Sequence, residues 1–273
     1  MPAAPVRKRF ENAARMGCVL LVLAAGIGPS AAQLMPQSPE LKASTAFFYK
    51  DPRVESLVNV FATLKSEGRD WTHYPPVTGL LARSFVLHPD WIERLAPPAD
   101  DGKAASAFLA ALKLSGHATD ASKYRDRFGA DGLDSTLEDQ FRRAPARLED
   151  IDIRTPTDLD LLWGASFVEG DGRYVRMILD FFASITNQSE LIALDTARIT
   201  VAMVGGPKDI YDQLKQRYDA AQRGRMVVAA AALWAVGANA RQHDYVRETT
   251  ANYIRDHKGE SAVRALSAIT GLK

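Results

Sequence analysis

Apolar positions recur along most of this chain at intervals of three and four, the period of an α-helix with one face turned inward. Val54, Leu57, Val58, Phe61 and Leu64 form one such stripe, closed by Gly68. A second helical stretch follows Tyr74-Pro75-Pro76 through Leu80, Leu81 and Phe85, and a short turn and helix begin at His88-Pro89-Asp90. Pro97-Pro98 and Asp100-Asp101-Gly102 mark a loop before a helix over Ala104–Leu114, stopped by Gly116. Residues 117–157 are more polar, with one weakly amphipathic helix predicted around Leu133, Leu137 and Phe141 and loop elsewhere. Thr155-Pro156-Thr157-Asp158 carries a helix-start signature: a hydroxyl cap, proline at the first position and an acid three residues on. Alternating β-branched runs and Asn-Gly or Asp-Gly hairpins are missing, so the pattern predicts an all-α fold without significant sheet.

The C-terminal half repeats itself. Trp163 precedes Tyr174-Val175-Arg176 as Trp234 precedes Tyr245-Val246-Arg247, with the same spacing in both copies. Gly170-Asp171-Gly172 separates the two helices of the first copy, and Gln242-His243-Asp244 those of the second. Val175, Ile178, Leu179, Phe182 and Ile185 make a clean stripe after the first turn. Between the copies lie a helix near Glu190–Val204, a Gly205-Gly206-Pro207 break and a helix through Ile210, Leu214 and Tyr218. Helical hairpins of about 35 residues are the unit of repeat proteins and hide their apolar faces by stacking. The expected architecture is therefore stacked antiparallel hairpins. Residues 51–273 read as a single domain, with a polar insert at 117–157 and hairpin repeats over 158–273. Met226–Ala238 (MVVAAAALWAVGA) is uncharged, yet too short for a membrane span, and predicts a buried core helix.

The N-terminus has a different logic. Arg7, Lys8, Arg9 and Arg15 precede the apolar run Met16–Ile27, and Gly28, Pro29 and Ser30-Ala31-Ala32 follow it. This is the layout of a secretory signal peptide over residues 1–32, cleaved after Ala32. Residues 33–50 then read as a tether that docks through Phe47, Phe48 and Tyr49. Export to a bacterial periplasm is the expected route, with secretion, or anchoring in the inner membrane if the leader is retained, as alternatives. The one cysteine, Cys18, leaves with the leader, so the mature chain has neither a disulfide nor a thiolate nucleophile.

Charge and motifs narrow the chemistry. Lys and Arg total 34 against 33 for Asp and Glu, a balance that points away from nucleic acid. The five histidines, at positions 73, 88, 117, 243 and 257, show no short-spaced pair, and no cofactor or metal is expected. Gly164-Ala165-Ser166-Phe167-Val168 lacks the second glycine of a serine-nucleophile elbow. Asp150, Asp152, Asp158 and Asp160 lack the glycine and terminal glutamate of a calcium loop and read as a solvated acidic stretch. Sequence alone cannot nominate an acid pair for glycan hydrolysis among so many carboxylates; Glu169 and Asp171, which flank a loop, are candidates. Asn187-Gln188-Ser189 fits a glycosylation sequon.

The repeated Trp163, Tyr174 and Arg176 and their counterparts Trp234, Tyr245 and Arg247 are the candidate binding residues, since aromatics and arginine dominate interface hot spots. The competing role is structural, with tryptophan packed on the tyrosine of its partner helix.

Several stretches resemble an uncharacterised family of exported all-helical bacterial proteins. They are Tyr74-Pro75-Pro76 with His88-Pro89-Asp90, Ala110–Gly116, Leu159-Asp160-Leu161-Leu162-Trp163-Gly164 with Gly170-Asp171, and Trp234 with Ala238-Asn239-Ala240-Arg241-Gln242-His243. The family supplies no activity to carry over. The Gly170-Asp171 turn is also distantly similar to tetratricopeptide repeats, although Trp163 stands where those need a small residue. The expected function is a non-enzymatic interaction or scaffold protein with a protein partner in the envelope, without a mature transmembrane span. A carboxylate-dependent hydrolase of cell-wall or sugar material, or a binder of small apolar ligands, is the alternative.

Overall fold

A computed structural model describes residues 44–66, 75–98, 101–128 and 145–273. The predicted leader, the first part of the predicted tether and the helix predicted around Leu133, Leu137 and Phe141 lie outside them. The fold is all-α. Twelve α-helices and an isolated bridge between Ser115 and Arg147 are present among the described residues. No helix there is long and apolar enough to cross a membrane. The chain divides into two compact units, Ser38–Tyr174 and the C-terminal Val175–Lys273, a division the positional pattern alone did not place.

The N-terminal unit contains α1 (Val54–Ser66), α2 (Pro75–Leu87), the single-turn α3 (Trp91–Arg94), α4 (Gly102–Leu114), α5 (Ala118–Phe128) and α6 (Pro156–Glu169). Its tightest contact is between α2 and α6. A side chain on Gly79 would collide with the Leu161 carbonyl of α6, and one on Gly164 with the Pro76 carbonyl of α2. Each glycine thus meets the carbonyl three residues before the other glycine. Beyond the crossing Arg83 reaches Glu169, so the two helices run the same way. Only residues without a Cβ allow two backbones this close.

On its far side α2 packs against α4, and α4 against α5, through an aromatic ladder. Phe108 meets Phe85 edge-on at 5.5 Å and Tyr124 at 5.0 Å. The polar segment from 117 therefore opens with a helix that its charge had masked: Ala121, Tyr124 and Phe128 alone face the core. In α1 the buried stripe is Val54, Leu57 and Val60, whereas Val58, expected inside, is exposed at the edge of the helix face.

Two features of α6 follow the sequence closely. Thr155 and Asp158 exchange hydrogen bonds in a capping box with Pro156 behind them. The helix ends at Gly170, whose φ of +64° suits glycine and whose missing Cβ leaves room for the Tyr49 ring. The tether docks there as expected through its aromatics: Phe48 is buried edge-on to Trp91 at 6.4 Å, and Phe47 and Tyr49 are half-buried.

The boundary between units falls in the first turn of α7 (Arg173–Thr186). The C-terminal unit continues with α8 (Glu190–Met203), α9 (Ile210–Arg217), α10 (Ala220–Asn239), α11 (Asp244–Asp256) and α12 (Ser261–Thr270). Its central pair is α8 and α10, with α12 lying against both. Ala229–Ala232 of α10 are fully buried, as expected of a core helix. The Thr200 hydroxyl, 3.1 Å from both the Thr196 and Ala230 carbonyls, joins α8 to α10. The predicted stripe of α7, Val175 to Ile185, is buried throughout.

Candidate functional site

The repeated residues do not occupy matching places. Trp163 is buried in the core of the N-terminal unit, while Trp234 is only half-buried on α10. Tyr174 is fully buried and its hydroxyl donates to Glu149 at 2.8 Å, whereas Tyr245 is half-exposed beside the His243 ring. Val175 and Val246, by contrast, are both buried, and Arg176 and Arg247 both exposed. Arg176 lies over the Tyr253 ring at 5.0 Å and near Asp180, and Arg247 binds Asp244 one turn back. The repetition is thus structural at valine and at arginine, and lapses at the aromatics.

Two buried charge clusters were not legible as clusters in the sequence. In the N-terminal unit, Arg83 of α2 pairs with Glu169 at the end of α6, and both side chains are 9% exposed. Glu149, in a 3-10 turn over Leu148–Asp150, stands 3.8 Å from Arg83 and 3.7 Å from Arg173. Arg173 also lies 3.9 Å from Glu169. Burial pushes the Glu169 carboxyl up, and the Arg83 guanidinium opposes that. Burial, reinforced by the bond to Glu149, pushes the Tyr174 hydroxyl well up. Arg83 Nε and Glu169 Oε2 find no hydrogen-bond partner. Asp171, named with Glu169 as the possible acid pair, instead accepts from the Arg173 backbone N–H and starts α7.

In the C-terminal unit the centre is Asp195 of α8, with a completely buried side chain. Arg217 donates to its Oδ2 at 2.9 Å, Arg198 to Oδ1 at 3.3 Å, and the Tyr218 hydroxyl to Oδ2 at 3.1 Å. Burial, helped by Asp195, raises the Tyr218 hydroxyl. Both arginine side chains keep part of their surface in water, 38% for Arg198 and 40% for Arg217. One enclosed anion thus holds two half-exposed cations.

Beside this cluster runs an apolar row that no helix covers among the described residues. Leu191, Leu194 and Val201 of α8, with Val204 just past its end, are exposed, Leu194 by 58%. The i, i+3, i+10, i+13 spacing keeps them on one arc of the helix, opposite the buried Ala193, Thr196, Ile199 and Thr200. Arg198 stands on the edge of that arc nearest Asp195. The signal was present in the sequence as a second stripe, but a helix apolar on two sides reads as deeply buried.

Other motifs take structural places. The Asn187 side-chain oxygen accepts from the Ala262 N–H at the start of α12, and its amide donates to Glu260, so the sequon asparagine ties α7 to α12. The acidic stretch is not uniformly solvated. Asp150 and Asp152 bind Arg147 and Arg154, and Asp158 caps α6. The Asp160 carboxyl is desolvated and held well above the usual carboxylate range. No cluster of three or more metal-ligating side chains occurs among the described residues. Comparison of the chain with protein-family models, curated proteins and solved structures gives no match.

Proposed function

We propose that the protein is an exported interaction module of the bacterial envelope, without catalytic activity of its own, that docks a protein partner along the outer face of α8. The observation that carries this reading is the uncovered row of Leu191, Leu194, Val201 and Val204. Aliphatic side chains aligned over three helical turns fit the apolar face of another helix. Export rests on the leader pattern of residues 1–32, and agrees with the resemblance to exported all-helical proteins.

The test is site-specific photo-crosslinking in cell envelopes. A photoreactive side chain at position 194 or 201 should give one discrete adduct, and the same group at the exposed Asp212 should give none. Leu191→Asp should abolish the adduct while lowering the melting temperature only slightly, because about half of that residue is already in water. Identical adducts from all three positions, or none from the row, would overturn the proposal.

A further inference from the structure

The charge beside the α8 row specifies what that partner must carry. This inference rests on the docking reading above and adds the chemistry of the occupant. Asp195 contributes one negative charge and is wholly enclosed, while Arg198 and Arg217 contribute two positive charges, each partly exposed. The edge of the row therefore presents a net positive charge. At its N-terminal end the charge of Glu190 is offset by Arg264 at 2.6 Å. The uncovered side chains are aliphatic throughout. Surfaces that rest on lipid line their polar face with many Lys and Arg, whereas the two arginines beside this row are both already held by Asp195, so a protein helix fits better than a bilayer.

We infer that the occupant of the α8 face is an amphipathic helix whose leucine-like row is edged by carboxylates, placed to meet Arg198 and Arg217. Both arginines are held in position by a buried anion, so little side-chain freedom is lost when a second carboxylate arrives. Exposed apolar contact supplies the affinity and the charged edge sets the register and the choice of partner.

Three synthetic amphipathic helices of equal leucine content, edged with glutamate, glutamine or lysine, test the inference by fluorescence anisotropy with the purified protein. The glutamate peptide should bind about tenfold more tightly than the lysine peptide at low salt, and the gap should close as salt rises. Arg198→Gln, which leaves Arg217 on Asp195, should narrow the gap several-fold without weakening the glutamine peptide. Equal binding of all three peptides would overturn the carboxylate edge and leave the docking reading standing. Peptide binding indifferent to Leu194→Asp, or no peptide binding at all, would overturn the docking reading itself. Capture by phosphatidylglycerol vesicles in preference to every peptide would assign the face to lipid and overturn both.

Discussion

The two units solve the same packing problem with different residues. In the N-terminal unit α2 and α6 approach through Gly79 and Gly164, backbone against backbone. In the C-terminal unit α8 and α10 approach through alanines and are joined by the Thr200 hydroxyl. Their charge clusters differ in the same spirit. Both oxygens of Asp195 are hydrogen-bonded, and its cations open to water. The Arg83–Glu169 pair is enclosed on both sides and leaves a donor and an acceptor unused. A buried polar group without a partner costs stability, whereas a satisfied one is nearly neutral. The N-terminal unit is thus held tightly by shape and strained by charge, and the C-terminal unit holds its charge comfortably and keeps an open face.

Substitutions can break this contrast, and the largest effect belongs to the glycine crossing. Gly164→Ala should cost about 3 to 4 kcal/mol, because the new methyl group meets backbone that cannot step aside. Chemical denaturation measures it, and a loss below about 1 kcal/mol would show that α2 and α6 part easily. Next comes Arg83→Leu, expected to cost about 2 to 3 kcal/mol at neutral pH by removing the enclosed partner of Glu169 and leaving the half-exposed Arg173 as the cation it shares with Glu149. The loss should shrink in acid, where Glu169 is neutral. Asp195→Asn should be milder, about 1.5 kcal/mol, since both arginines can turn further into water. A cost equal to that of Arg83→Leu would erase the distinction between the clusters.

Thr200→Val keeps the shape and removes the hydroxyl that joins α8 to α10; about 1 kcal/mol should be lost in thermal unfolding. The smallest effect is the most diagnostic. Because burial raises the Glu169 carboxyl, the folded chain holds a proton there at a pH where the unfolded chain has released it. This group's contribution is complete below the ordinary glutamate value and is lost as pH rises through the raised one. Glu169→Gln should change stability by less than about 1 kcal/mol and flatten that part of the stability–pH curve. A curve of unaltered slope would mean that Glu169 is not the group being titrated.

Much of the architecture could be read from one-dimensional features. The capping box at Thr155, the stripe of α7, the alanine-rich core helix and the aromatic dock of the tether are local signals, and each is realised. What was hidden depends on distance in space. Arg83 and Glu169 are 86 residues apart, and nothing in either neighbourhood announces the other. Gly164 drew notice as an incomplete nucleophile motif, and its role, a place for another backbone to pass, is set by Pro76. The 71-residue repetition overstated the likeness of Trp163 and Trp234, because identical spacing along the chain does not impose identical neighbours. The α8 face was missed for the opposite reason: its two apolar arcs together look like complete burial, when one of them faces water.

The parallel course of α2 and α6 has a consequence for how the chain comes to be folded. Gly79 precedes Gly164 by 85 positions, so at translation rates of about 5–20 residues per second α2 waits several seconds for the surface that fits it. Until then the apolar surface around Gly79 stays available to other hydrophobic matter, and any early structure must keep it free. That delay places a premium on holding this half loose until α6 has arrived.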